Sequence, residues 1–357
     1  MKKKILFELR KLSGSYVSGE ALSVQLGVSR TAIWKHVREL REEGYKIGSS
    51  SKKGYMLSAV PELNENEIKN GLQTIYLGRT IVYLETVGST NTYAKKISLE
   101  GCHEGTVVVS ENQTSARGRL GREWHSEGGK GIWMSVVLRP SIPPESVQII
   151  TLAAAVAVVK AIQYVTGIEA AIKWPNDIIL NGKKLCGILT EMSCEMERVN
   201  FIVVGIGINV NHSEEDFPQN LRKIATSLKI FSQSIKNGDS HSYNRSAILK
   251  RLLFELEQMY NVINNCPSNK IDVDLNTNGN AVIAENSDSL TKEDSNSIVN
   301  EWRKYSLTLG KEITVIARGG EYNGIAVDIT SDGRLIVLAN DGIKHEILSG
   351  EVSIRGF

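Results

Sequence analysis

The chain reads as an α+β protein in three parts: a winged helix-turn-helix head, a mixed α+β core and a small SH3-like β-barrel at the C-terminus. Three observations carry that reading. The first 60 residues hold three short helical patterns followed by a basic hairpin pattern. The middle of the chain mixes strand-like and helical runs joined by short connections, which favours an α+β sheet over a regular βαβ alternation. The last 50 residues break into five short strand-like runs at 313–317, 322–329, 335–339, 343–348 and 352–355. Gly319-Gly320, Asp332-Gly333 and Asp341-Gly342 mark three of the turns between them.

In the head, Ile5, Leu6 and Leu9 share one face of a helix over 3–12. Ser18 is placed to cap a second helix to about Gln25, and Leu26-Gly27-Val28 forms a tight turn. Ser29 caps a third helix to about Glu42, with Ile33, Val37 and Leu40 on one side. Thr31, Trp34, Lys35 and Arg38 fall largely on the others. Tyr45–Ile47, a polar turn over 48–54 and Tyr55–Leu57 make a wing, and Pro61 with the acidic stretch Glu62–Glu67 reads as a linker. In the core, strands are expected at 107–110, 132–138, 178–180, 185–192 and 201–210, with a long apolar helix over 148–165 packed on the sheet. Residues 262–300 are rich in Asn, Ser and Asp and poor in large apolar groups, so they read as a mobile insertion between helical runs at 247–262 and 298–305. The domains so drawn are 1–62, 72–305 with a polar insertion at about 264–297, and 306–357.

Hydrophobic content of 41% and charged content of 23% are those of an ordinary globular protein. No apolar run reads as a membrane span, and Met1-Lys2-Lys3-Lys4 is not followed by the apolar stretch of a signal peptide. Cys102, Cys186, Cys194 and Cys266 show no CxxC pairing, which argues against a disulfide framework or a zinc site. A cytoplasmic protein without a membrane partner is expected. The net charge of +2 is unevenly spread: residues 1–60 hold 12 Lys and Arg against 5 Asp and Glu, whereas the remainder holds 30 against 35. A basic head on a mildly acidic body points to a polyanion at the head. A winged helix used for protein contacts is the competing reading. The charge surplus and Arg30, Thr31, Lys35 and Arg38 on the third helix favour DNA.

Three motifs carry chemistry. Ala116-Arg117-Gly118-Arg119-Leu120-Gly121-Arg122-Glu123-Trp124 interleaves arginines with glycines. Glycine lets backbone N–H groups approach an anion while guanidinium neutralises it. No GK[ST] follows, so it is not a Walker loop, and a flexible basic surface loop fits the motif taken alone. Lys173-Trp174-Pro175-Asn176-Asp177 presents Asp177 at a strand end, and Lys184 opens an apolar strand. Such a lysine either projects into a pocket or is a solvated edge charge. Gly205-Ile206-Gly207-Ile208-Asn209-Val210-Asn211 leaves one strand face bare, for a ligand or for close packing.

In this order, and with Ser89-Thr90-Asn91 and Gln113 upstream, these motifs resemble the biotin protein ligase family. With the winged helix in front and the barrel behind, the likeness is to its bifunctional type, biotin ligase and biotin-operon repressor. It covers nearly the whole chain except the 262–300 insertion. The resemblance implies a biotin/lipoate-ligase-like catalytic domain that activates biotin with ATP to biotinyl-5′-AMP. The biotin then passes to a lysine of the biotin carboxyl carrier protein of acetyl-CoA carboxylase, or of another biotin-dependent carboxylase. It assigns Ser89, Thr90, Asn91, Gln113, Arg117, Gly118, Arg119 and Lys184 to biotin, with Lys184, Arg117 and Arg119 catalytic. Arg122, Asn176, Asp177 and Asn209 match nucleotide positions, Asp177 and Asn209 with Mg2+. Ser29, Arg30, Thr31, Trp34, Lys35 and Arg38 are the expected DNA contacts of a homodimer on operator DNA, with biotinyl-5′-AMP as corepressor. One departure is Ala116, where the family's loop commonly begins with Gly; a methyl group there restricts φ. Two rivals remain: a lipoate ligase, which shares the core fold, and a regulator whose enzyme domain only senses a metabolite. The arginine loop and the Lys173–Asp177 run favour biotin, and the intact arginines and Lys184 favour an enzyme.

Overall fold

Ser18 and Ser29 start two of the first three helices, their Oγ atoms accepting from Ala21 N at 2.9 Å and Ala32 N at 3.2 Å. The computed structural model describes residues 1–12, 14–195, 198–235, 241–264, 292–317, 320–348 and 350–354. These fall into two units, Met1–Gly71 and Leu72–Phe357.

In the first unit, α1 (Lys2–Lys11), α2 (Gly19–Leu26) and α3 (Arg30–Glu42) pack through Ile5, Leu9, Leu22, Ile33, Val37 and Leu40. Gly27, at φ 64°, ends α2 as the turn pattern required. Strands β1 (Lys46–Ser50) and β2 (Gly54–Ala59) form the wing. Ser50 pairs with Gly54, so the turn is narrower than the expected 48–54: strand pairing continues to the last residue that can reach a partner. The stretch expected as a linker is instead part of this unit. Helix α4 (Glu65–Lys69) is capped by Asn64, and Leu63 and Ile68 are buried. Glu67 pairs with Arg10 and accepts from the Tyr45 hydroxyl. Two isolated apolar residues among acids show no periodicity, yet here they cover the core while an acid meets Arg10. The unit therefore runs past the expected boundary at 62.

In the second unit, β3 (Ile81–Val87), α5 (Thr90–Leu99) and β4 (Val107–Gln113) make a crossover whose strands pair in parallel. Next come β5 (Gly131–Leu138), α6 (Gln148–Thr166), β6 (Ala171–Lys173), β7 (Asp177–Leu180), β8 (Lys183–Glu195) and β9 (Arg198–Asn209). The seven strands run in the order β3-β4-β5-β9-β8-β7-β6, antiparallel after the first pair. Strands β3 and β6 and helix α5 were not among the expected elements, although Ile81–Leu84 is a strand-like run of β-branched, aromatic and aliphatic residues. Helix α5 lies on the face bearing Glu191 and Val203, while Thr151 of α6 bonds Thr190 on the opposite face. Contrary to the expectation of no span, the helical stretch Pro144–Thr166 is long and apolar enough to cross a bilayer. In this fold it is a core helix: the sheet covers one side and helices α8 and α9 (below) the other, so apolar residues surround it.

Helix α7 (Leu228–Ile235) precedes α8 (Arg245–Ile263) and α9 (Lys292–Tyr305). Most of the expected insertion, 265–291, lies outside the described residues. Its C-terminal flank is helical from Lys292, earlier than expected, because Ile298, Val299 and Trp302 are buried on one side of α9. Strands β10 (Glu312–Ala317), β11 (Gly320–Ile329), β12 (Leu335–Ala339), β13 (Lys344–Ile347) and β14 (Glu351–Ile354) then form an antiparallel sheet ordered β13-β12-β11-β10-β14. Trp174 ties it to the larger sheet, its Nε1 donating to Gly333 O at 3.1 Å and its backbone N to Thr308 Oγ1 at 2.9 Å.

The Glu257 carboxylate of α8, 1% exposed, accepts three backbone N–H groups, from Ile75 at 2.7 Å, Tyr76 at 2.9 Å and Leu77 at 2.8 Å. Glu257→Gln turns an NH2 group toward at least one of these donors. A loss of about 2 kcal/mol is expected. A urea midpoint unchanged from the parent's would contradict it.

Candidate active site

Three glycines bare one face of the sheet. Gly187 of β8 pairs with Gly207 of β9, and Gly205 lies two residues before Gly207 on the same face. The space is used at once. A Cβ on Gly205 would lie 2.1 Å from Asn91 Oδ1, and one on Gly207 would lie 2.8 Å from Trp124 Nε1. Of the two readings of this strand, close packing holds at these two positions: the indole and the amide fill part of the face and wall the rest. The result is a cleft of about 660 Å³ lined by Ser89, Thr90, Asn91, Gln113, Arg117, Gly118, Arg119, Arg122, Asn176, Asp177, Lys184 and Asn209. Every core residue to which the family resemblance assigns a role thus lines one cavity.

The start of α5 supplies one end. Ser89 caps the helix, accepting from Thr92 N at 3.4 Å. Gln113 Oε1 accepts from Thr90 N at 2.8 Å and from Thr90 Oγ1 at 3.1 Å. Ser135, on the fully buried β5, has its Oγ 2.8 Å from Thr90 Oγ1 and 2.6 Å from Asn91 Oδ1. Sequence reasoning passed over Ser135, although a lone hydroxyl in an otherwise apolar strand was a signal.

The arginine loop closes on itself as a small hairpin. Gly118 N donates to Arg122 O at 2.7 Å, Trp124 N donates to Ala116 O at 3.0 Å, and Leu120 at the tip takes φ 56°. Ala116 is not among the residues with left-handed φ, so the methyl group costs nothing here. Arg117 and Arg122 are exposed at the rim. Arg119 reaches inward, donating to Asn176 Oδ1 at 3.1 Å and to Gly350 O at 2.9 Å. Asn176 in turn donates from Nδ2 to Ile188 O at 2.8 Å.

Lys184 is a pocket lysine. Its backbone is pinned by Ile224 O and Thr226 N, and a register shift beside it bulges β8 against β7. Its Nζ lies 2.6 Å from Asp177 Oδ1 and 5.4 Å from the Trp124 ring centroid. Cys186 is fully buried, and desolvation pushes its thiol up, so it stays protonated. Asn209 donates from Nδ2 to Thr226 O at 3.1 Å, while its buried Oδ1 has no hydrogen-bond partner among the described residues. Trp124 Nε1 and His125 Nε2 are likewise buried without one. Orphaned polar atoms lining one cleft suit a polar ligand. The segment Leu221–Ala225, with Lys223, completes the wall, and no motif marked it.

In the N-terminal unit, Ser29, Arg30, Thr31, Trp34, Lys35 and Arg38 are all exposed: Ser29 and Arg30 at the start of α3, the others along the side away from Ile33, Val37 and Leu40. Trp34 is 51% exposed, with the Arg38 guanidinium 5.3 Å from its ring. A large exposed aromatic on a basic helix face suits a nucleic-acid groove.

Three family models match the chain: the biotin/lipoate A/B protein ligase family over residues 83–209, an HTH domain over 2–56, and the biotin protein ligase C-terminal domain over 308–355. The bifunctional ligase/repressor BirA of Bacillus subtilis is 39% identical over 354 residues, 99% of this chain and 98% of the relative. The bifunctional ligase/repressor BirA of Escherichia coli is 26% identical, covering 96% of this chain and 94% of its own. Among solved structures, the biotin protein ligase of Aquifex aeolicus in complex with biotin and ATP superposes with a TM-score of 0.57 at 28% identity. That match covers 78% of this chain and 99% of the Aquifex chain.

His212 is 0% exposed, between Trp133 at 5.8 Å and Phe217 at 5.1 Å, and neither ring nitrogen has a hydrogen-bond partner among the described residues. Burial pushes its pKa down to about 4, against the pull of Asp216. As pH falls, the unfolded chain takes up this proton near 6.5 while the folded chain refuses it until about 4. The contribution is therefore complete above 6.5 and is lost between 6.5 and 4, on the order of 3 kcal/mol in all. His212→Phe is expected to flatten the stability profile across that window. Parallel profiles for parent and variant in denaturant titrations from pH 7 to 4 would contradict it.

Proposed function

The chain belongs to the biotin protein ligase family in its bifunctional ligase/repressor form, and we propose that its cleft joins biotin to ATP while its head represses transcription. The observation that carries this is the convergence of the arginine loop, Lys184 with Asp177, and the start of α5 in one cavity. The biotin carboxylate attacks the α-phosphorus of ATP, pyrophosphate leaves, and the mixed anhydride biotinyl-5′-AMP remains. The amine of a carrier lysine then attacks the acyl carbon, forming the amide and releasing AMP. The carrier in this reading is the biotin carboxyl carrier protein of acetyl-CoA carboxylase or of another biotin-dependent carboxylase, in the cytoplasm.

Ser89, Thr90, Asn91 and Gln113 take the ureido end of biotin, which needs both donors and acceptors. Lys184 offsets the negative charge that builds as carboxylate meets phosphate, and its pairing with Asp177 fixes where that charge stands. Arg117 and Arg122, at the rim, meet phosphate. Arg119 holds the loop closed through Asn176 and Gly350, keeping water from the anhydride. Asp177, through its carboxylate, and Asn209, through its buried amide oxygen, would hold Mg2+ beside the substrate phosphates. When bound, the ion neutralises phosphate charge. From α3, Arg30, Lys35 and Arg38, with Thr31, Trp34 and capping Ser29, read operator DNA. One head offers a small basic surface, so a two-fold homodimer is needed to hold two half-sites. Biotinyl-5′-AMP favours that dimer by ordering the cleft loops beforehand, which lowers the entropy cost of association.

Lys184→Ala should stay folded and lose on the order of 100-fold or more in biotin-dependent ATP–pyrophosphate exchange. Exchange at the parent rate refutes the role of Lys184, and exchange driven by lipoate rather than biotin refutes the substrate. Arg119→Gly should still form the adenylate but release it, labelling exposed lysines of bystander proteins. Retention of adenylate for as long as in the parent sinks the closure idea. For the repressor, sedimentation and operator titration at fixed salt should show tighter DNA binding and more dimer with biotin plus ATP than without. Equal affinity in both states would mean that the two functions are uncoupled.

A further inference from the structure

The carboxamide of Asn91 has two ends of nearly the same shape and opposite hydrogen-bonding sense, so its neighbours must decide which end faces where. Nδ2 donates to Glu191 Oε2 at 2.8 Å and to Leu189 O at 3.2 Å. A carboxylate and a carbonyl can only accept. The other Glu191 oxygen is held by Lys95 Nζ at 2.6 Å. At the opposite end Asn91 Oδ1 accepts from Ser135 Oγ at 2.6 Å and rests over the bare Gly205.

We propose that Glu191, which does not itself line the cleft, is a positioning residue that sets the hydrogen-bond polarity of the biotin end of the site through Asn91. The proposal rests on the reading that this cleft takes biotin. Both Asn91 N–H groups are spent, so Asn91 turns only an oxygen lone pair toward a ligand. That oxygen suits a ring carrying N–H donors, as a ureido ring does and a dithiolane ring does not. The same sense continues inward. Gln113 Oε1 already accepts from Thr90 N, which turns the Gln113 NH2 group outward as a donor for a carbonyl. Were Asn91 to flip, its NH2 would face Ser135 and its oxygen would face a carboxylate. Glu191 prevents this because it has no proton to give.

Glu191→Gln keeps the size but can present either end to Asn91, so the direction is lost. The expected result is a rise of about tenfold in KM for biotin, with kcat and KM for ATP held within about twofold. An analogue methylated on a ureido nitrogen should also be discriminated less from biotin by the variant than by the parent. A purely structural role would lower the melting temperature and the active fraction without separating the two KM values. Lys95→Met leaves the Asn91–Glu191 bond in place but unclamps the carboxylate. It should raise KM for biotin in the same direction by a smaller factor, and it carries the test if Glu191→Gln does not fold. Unchanged KM for biotin in the soluble variants, or an equal rise for biotin and ATP, overturns the proposal. A parent enzyme that turns over no biotin would instead refute the functional reading, a result visible before any variant is made.

Discussion

The catalytic unit depends on a missing row of side chains. At Gly187, Gly205 and Gly207 the two long strands β8 and β9 present bare backbone, and that absence admits the Trp124 indole and the Asn91 carboxamide. A Cβ at 205 or 207 would lie within 3 Å of one of these groups, closer than packed atoms come. Without that room α5 could not bring Thr90 and Asn91 down to Ser135, and the arginine loop could not anchor its last residue on the sheet. Glycine weakens a strand, and a sheet tolerates it here because β9 is flanked on both sides by long partners.

Charge in the cleft follows the same economy. Lys184 and Asp177 form an ion pair on the wall, each partly exposed, where the solvent still shares in screening. The pair adds little to stability. Its value lies in holding a cation at a fixed point beside a cavity lined by buried polar atoms of Asn209, Trp124 and His125 that have no partner among the described residues. Arg119 spans the cleft between the turn at Asn176 and the backbone of the C-terminal sheet at Gly350. The C-terminal sheet is thereby part of the site, through Gly350 at one point and through Trp174 at another.

Local chemistry decided how legible each part was. The capping serines, the left-handed Gly27 and the Ile33–Val37–Leu40 stripe have causes within a few residues, and the structure has them where sequence patterns put them. The five C-terminal strands were equally readable from Gly turns and alternation. Helix α4 was not, because Leu63 and Ile68 show their purpose only once a core stands beneath them. The start of α9 was hidden by polar composition. The apolar length of α6 reads the same whether a bilayer or a protein surrounds it, and only the sheet and helices packed on it separate the two.

By itself, the sequence determined the α+β class, the basic head, the residues able to carry anion and nucleotide chemistry, and the likeness to a ligase family, since these rest on residue type, spacing and order. Tertiary structure alone decided that residues as far apart in the chain as Ser89 and Asn209 share one cavity. It decided that Lys184 meets Asp177 and not solvent alone, and that Ser135, Glu191 and Lys95 orient Asn91. The reason is physical. A hydrogen bond or an ion pair depends on distance and direction across strands, and neither is written in any one segment of the chain.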